Sequence, residues 1–103
     1  MKKLVIVLVV CSFVGAACST NLPAEASGRE VYEALCTRCH GNDLSGGVGP
    51  ALGAGSALAD QPDAYLLQAI TSGLGRMPSF RNTLSEDQIA RVAEYLRAEQ
   101  GSG

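Results

Sequence analysis

Cys36-Thr37-Arg38-Cys39-His40 is the stretch on which the reading of this 103-residue chain depends. On a helix, side chains three and four positions apart share a face. Both sulfurs and the imidazole can therefore meet one flat object at once. Haem attachment needs that arrangement: two thiols to add across two vinyl groups, and a neighbouring ring nitrogen for one axial position on iron. Three other readings of the pair stand beside it. A disulfide between Cys36 and Cys39 would close a very small loop and add little stability. A thioredoxin-type dithiol belongs to a β-α-β context, and no convincing strand pattern flanks this motif. A structural zinc site takes four ligands in most cases, whereas the part of the chain after residue 18 offers two Cys and one His.

Working outward, the remaining cysteines, Cys11 and Cys18, lie in the amino-terminal stretch. There Lys2 and Lys3 precede an apolar run over 4–18 that closes on small residues, Gly15-Ala16-Ala17-Cys18. This is the layout of a secretory signal, so 1–17 is expected to be removed on export. As a helix the run would span about 22 Å at ~1.5 Å per residue. A hydrocarbon core is ~30 Å thick, which makes a spanning helix the weaker alternative. Cys18 directly after Ala17 resembles the lipobox cysteine of bacterial lipoproteins and is the expected lipidation site. Gly15 stands where that pattern usually has Leu, so ordinary signal cleavage a residue or two later is the alternative. Cys11 follows bulky Val10 and reads as a small apolar residue of the signal. Small, polar, Pro-containing residues at 18–27 suit a flexible tether, which leaves 28–103 as one domain. A chain starting at Cys18 carries six Arg, no Lys and ten Asp or Glu, a formal charge of −4. That balance argues against nucleic acid or anionic lipid as partners and favours a docking partner with a basic face.

The domain is expected to be all-α, with about three main helices and Gly-rich loops around one covalently bound haem. A helix over 26–39 pairs Val31 with Leu35 and Tyr32 with Cys36 on adjacent faces, delivering the attachment motif at its end. The Gly-rich stretch 41–55, with Pro50, reads as a loop. A second helix is expected to start near Asp60 or Gln61, with Pro62 in its first turn, and to stop at Gly73. The last helix is announced by a capping box, Ser85 with Gln88, and by a staple of Leu84 with Ile89. Ile89, Val92, Ala93 and Leu96 follow at helical spacing, and Gly101 is expected beyond the end. Three helices and long loops at this size need a large apolar object between them, and a porphyrin supplies it.

From 27 to 100 these residues resemble, in order, the class I cytochrome c family. Gly28 and Tyr32 look like the small-plus-aromatic pair that lets the family's first and last helices cross closely, with Tyr95 as the aromatic partner. Gly49-Pro50-Ala51-Leu52 is similar to the loop whose Pro carbonyl accepts a hydrogen bond from the ligating His. Gly75-Arg76-Met77-Pro78 resembles the segment supplying the second axial ligand. The resemblance therefore implies one haem c held by Cys36 and Cys39, ligated through His40 and Met77, with Pro50 supporting His40. Met77 is also the only Met besides the initiator, and the domain has no second His and no Lys. Its alternative role is to pack the pocket beside an open sixth position.

With both axial positions filled, iron is left with one-electron exchange, and a soft thioether favours the ferrous state. The expectation is an electron carrier and not an enzyme, extracytoplasmic, membrane-anchored through Cys18. Its partners would be redox proteins: an oxidase, a dehydrogenase or a quinol-oxidising complex. The rival reading is a haem enzyme or gas sensor in which Met77 does not stay bound. Arg38, Arg76 and Arg81 lie near the ligand segments, as candidates for a haem propionate or as solvated charges. Tyr65 and Phe80 are expected to pack the pocket or core.

Overall fold

The computed structural model describes residues 22–102. The expected signal peptide 1–17, with Cys11, and the lipidation site Cys18 lie outside the described residues. Helix α1, Gly28–Leu35, begins at a capping box that sequence reading overlooked. The Ser27 hydroxyl accepts from the Glu30 amide at 3.1 Å, and the Glu30 carboxylate accepts from the Ser27 amide at 2.8 Å.

The single helix expected over 26–39 is broken. Helix α1 stops at Leu35, Cys36 caps it at φ −112°, and a separate single turn, α2, runs Thr37–His40. At the break the Thr37 hydroxyl donates back to the Glu33 carbonyl at 3.1 Å, a local bond of the kind that bends helices. Gly41, at φ +87°, then turns the chain away.

A second correction concerns Pro62. Ala57–Asp60 forms a 3₁₀ turn, Gln61 is extended at ψ 148°, and Pro62 is the cap before helix α3, Asp63–Ser72. A residue before proline is driven out of the α region, so the helix cannot start until Pro62 has been passed. Gly73, at φ +81°, ends α3 as expected. Helix α4, Glu86–Ser102, opens on the expected Ser85 and Gln88 box and runs through Gly101 instead of stopping before it. An added Cβ at Gly101 meets nothing within 4 Å, so neither packing nor a left-handed turn needs a glycine there.

The fold is closed by α1 crossing α4. A Cβ on Gly28 would sit 2.1 Å from the Arg91 carbonyl oxygen, so only glycine permits that approach. Beside the crossing, the Tyr32 and Tyr95 rings lie 5.6 Å apart at 44°, within the range of favourable aromatic contacts. Val31, Tyr32 and Val92 are fully buried, joined in one core by Leu66 and Ile70 of α3 and by Leu84, Ile89 and Leu96. The span read as a tether, 18–27, is held at its carboxyl end. Gln88 donates to the Pro23 carbonyl, Arg91 donates to Ala24 and Ala26, and Ala26 is buried. No helix among the described residues is long and apolar enough to cross a membrane.

Tyr32 yields a pH prediction. Its hydroxyl donates to the Gly41 carbonyl at 2.7 Å, and burial, with lesser effects from Cys36, Tyr95 and Asp43, pushes it up from 10.0 to about 12. Between those values the unfolded chain has released a proton that the folded chain keeps. This contribution is therefore complete below pH 10 and is lost as pH rises through about 12. Tyr32→Phe loses about 1 kcal/mol at neutral pH with the hydrogen bond. Its denaturation midpoint, followed against pH, is expected to fall less steeply than the parent's across that window. Equal slopes would show that Tyr32 does not carry the alkaline loss.

Candidate functional site

The break at Cys36 sets the site. With α2 a turn of its own, Cys36, Cys39 and His40 all line one cavity of about 370 Å³, a size typical of ligand pockets. Its walls are mostly apolar: Leu35, Leu52, Leu58, Leu66, Ile70 and Leu96 contribute from every element around it. Both cysteines are free thiols and half-buried. Burial, with Cys39 beside it, pushes the Cys36 thiol up to about 11. Burial there works against the nucleophilic thiolate form of Cys36.

The buried His40 ring is fixed from two sides. Its Nδ1–H donates to the Pro50 carbonyl at 2.8 Å, which assigns the tautomer and leaves Nε2 with its lone pair available. Gly49 backs the ring so closely that a Cβ there would stand 2.8 Å from Cε1. The loop returns to the motif through backbone bonds from Gly46 to the His40 carbonyl and from Gly49 to the Cys39 carbonyl, at 2.8 and 2.7 Å. A carbonyl oriented on the far nitrogen is the support a metal-binding imidazole requires.

Met77 lines the same cavity. Its backbone pairs with Leu74 through two hydrogen bonds of 2.9 and 3.2 Å. Gly73 makes that hairpin possible, since a Cβ there would lie 2.7 Å from the Met77 carbonyl. Tyr65, Arg76 and Phe80 line the cavity as well, while Arg81 turns to the Ser72 hydroxyl at 3.0 Å. No group of three or more His, Cys, Asp or Glu among the described residues is arranged to hold a metal ion. Every side-chain nitrogen and oxygen wholly shut off from solvent and cavity, among the described residues, has a hydrogen-bond partner. Besides Gln61, Tyr65 and Arg76, a guest is offered apolar surface, two thiols, one ring nitrogen and one thioether.

A family model described as "Cytochrome C oxidase, cbb3-type, subunit III" matches residues 23–96. The chain belongs to the class I c-type cytochromes. This cytochrome is 35% identical over 81 residues to cytochrome c6 of Leptolyngbya boryana, across 74% of the present chain and 95% of the relative. It is 37% identical over 71 residues to the cytochrome c subunit of 4-cresol dehydrogenase (hydroxylating) from Pseudomonas putida, across 68% of this chain and 58% of that subunit. Among solved structures, the c-type cytochrome NirC superposes with a TM-score of 0.61 at 32% identity, covering 69% of this chain and 85% of that one. The fold is accordingly the all-α cytochrome c fold. Its cofactor is one covalently bound haem c with iron, and electron transfer is its class of function. The pocket suits that group: the apolar lining fits a porphyrin, and the four donor atoms are of the kinds that covalent attachment and axial ligation use.

Two features of the site were missed in the sequence. The packing of Gly49 on His40 had its signal in Gly49-Pro50, which was read only for the proline. Arg97 and Gln100, whose bonds fasten the 52–61 wall, had none, because each looks like a solvated position on a terminal helix.

Proposed function

We propose that this cytochrome carries single electrons outside the cytoplasm between redox proteins, with haem c bound to Cys36 and Cys39 and ligated by His40 and Met77. The observation that carries the reading is the His40 geometry: Nδ1–H is spent on Pro50, and Nε2 is left for iron in a cavity that Cys36, Cys39 and Met77 also line. Each thiol would add as S–H across one vinyl group, so nothing leaves and no oxidant is needed. When bound, haem iron supplies exchange between ferric and ferrous states at a potential raised by a thioether ligand. The protein's part is to hold both ligands, to keep water from them with apolar walls, and to let a partner approach. Val48, 83% exposed at the cavity's edge, offers an apolar contact for that approach. Removal of 1–17 and lipidation of Cys18 would anchor the domain at a membrane face. Similarity to a dehydrogenase cytochrome subunit, and to the CcoP subunit of a cbb3-type oxidase of Azospirillum brasilense, supports a dehydrogenase or oxidase as partner.

The test is an absorption spectrum, oxidised and dithionite-reduced, of protein made with a cytochrome c maturation system, repeated after denaturation. The expected result is haem that stays with the denatured chain and a low-spin ferric form with the weak far-red band of thioether ligation. Haem lost on denaturation would remove Cys36 and Cys39 from the proposal. A high-spin ferric spectrum would remove Met77 and move the reading toward a ligand-binding haem protein.

A further inference from the structure

The cavity wall formed by 52–61 has little structure of its own. Its regular element is the Ala57–Asp60 turn, in which the Gln61 amide donates to the Leu58 carbonyl at 2.9 Å. Further donors to this wall come from the far end of the chain. The Arg97 guanidinium on α4 donates to the Leu58 carbonyl at 3.2 Å and to the Gln61 carbonyl. It also donates to Asp63 at 2.8 Å and to the Gln100 side chain at 2.9 Å. Gln100 extends the hold by donating to the Leu52 carbonyl at 2.9 Å. Leu52, Leu58 and Gln61 all line the cavity. The Arg97 side chain is only 26% exposed, whereas Asp63 is 80% exposed, so the ion pair is solvent-screened while the bond to the Leu58 carbonyl is the sheltered one.

We infer that Arg97, braced by Gln100, is a positioning residue that straps the 52–61 wall over the haem and so controls how easily water and small ligands reach the iron. The inference rests on the haem seating proposed above. Arg97 touches neither the proposed ligands nor the attachment cysteines. It acts by setting how often the wall opens: the hydrogen bonds within 53–61 each span only three residues, so local opening depends on the bonds that tie the segment to the rest of the domain. Lysine cannot replace the planar fork that reaches two carbonyls and a carboxylate together.

The test uses matured holoprotein in four forms: the parent, Arg97→Ala, Arg97→Lys and Asp63→Asn. Three quantities are read: the rate of cyanide binding to the ferric form, the reduction potential, and amide exchange at Gln61, whose N–H donates to Leu58. Arg97→Ala is expected to bind cyanide about tenfold faster or more, to lose protection at Gln61, and to show a lower potential as water reaches the site. Arg97→Lys is expected to follow Arg97→Ala, and Asp63→Asn to stay within about twofold of the parent. Should Arg97→Ala not accumulate, Gln100→Ala, which frees only the Leu52 carbonyl and one brace on Arg97, is expected to move the same readouts in the same direction. A lowered melting temperature with an unchanged cyanide rate and potential would make Arg97 a purely structural residue and overturn the inference. A parent without covalently retained haem would instead overturn the seating on which it rests.

Discussion

Gly28→Ala is expected to prevent most of the chain from reaching its folded state. The new methyl carbon would stand 2.1 Å from the Arg91 carbonyl oxygen, 2.7 Å from its carbonyl carbon and 2.9 Å from Tyr95 Cβ. Two of these atoms are backbone in the middle of α4 and cannot rotate aside. The helices must separate by about an ångström to restore ordinary contact. That separation loosens the Tyr32 and Tyr95 pair and the buried Val31 and Val92 beneath it. Overpacking without room to relax costs about 3 kcal/mol or more, a large share of the ~5–15 kcal/mol that holds a domain together. Gly101→Ala is the matched control. It is also helical but meets nothing within 4 Å, so the same methyl there should be neutral or mildly stabilising. Denaturant midpoints of the two variants beside the parent decide the matter, and a Gly28→Ala midpoint close to the parent's would mean the crossing is not held by close approach.

The second large effect is expected at Met77, where two substitutions separate ligation from packing. Met77→Ala removes the thioether and also leaves a gap against the core, a loss of about 2–5 kcal/mol when such a side chain is fully buried and less for this half-buried one. Met77→Leu keeps nearly the same volume, so most of the packing survives. Both variants are expected to lose the far-red band, turn high-spin in the ferric form, bind carbon monoxide rapidly when reduced, and show a markedly lower potential. If Met77→Leu retained the parent spectrum, another group would have to be the sixth ligand.

Much of this architecture could be read from short-range chemistry. Ser85 with Gln88 marked the start of α4, Gly73 marked the end of α3, and the spacing of Cys36, Cys39 and His40 marked the pocket, because each signal is complete within five residues. Errors arose where a weaker local preference overrode helical periodicity. The bend at Cys36, where the Thr37 hydroxyl bonds back to Glu33, interrupts a helix whose apolar pattern continues through it, and Pro62 dictated the conformation of the residue before it. What could not be read depends on distant partners. Nothing local to Arg97 says that it caps a turn beginning at residue 57, and nothing in 23–26 says that Gln88 and Arg91 will hold it. Hydrophilic positions on a last helix look alike until the chain has folded back on itself.

The joining of the two ends also fixes an order of events in time. A chain emerges amino-terminus first, whether from a ribosome or through a membrane pore, and Arg91 meets Ala26 across 65 positions of sequence. Gly28 has no surface to cross until α4 has emerged, and the 52–61 wall lacks its Arg97 and Gln100 bonds until the same helix follows. Throughout that interval Cys36, Cys39 and His40 are already out, and the cavity they line still lacks Val92 and Leu96. The last helix is thus a late-arriving latch, the piece of the pocket wall that comes last.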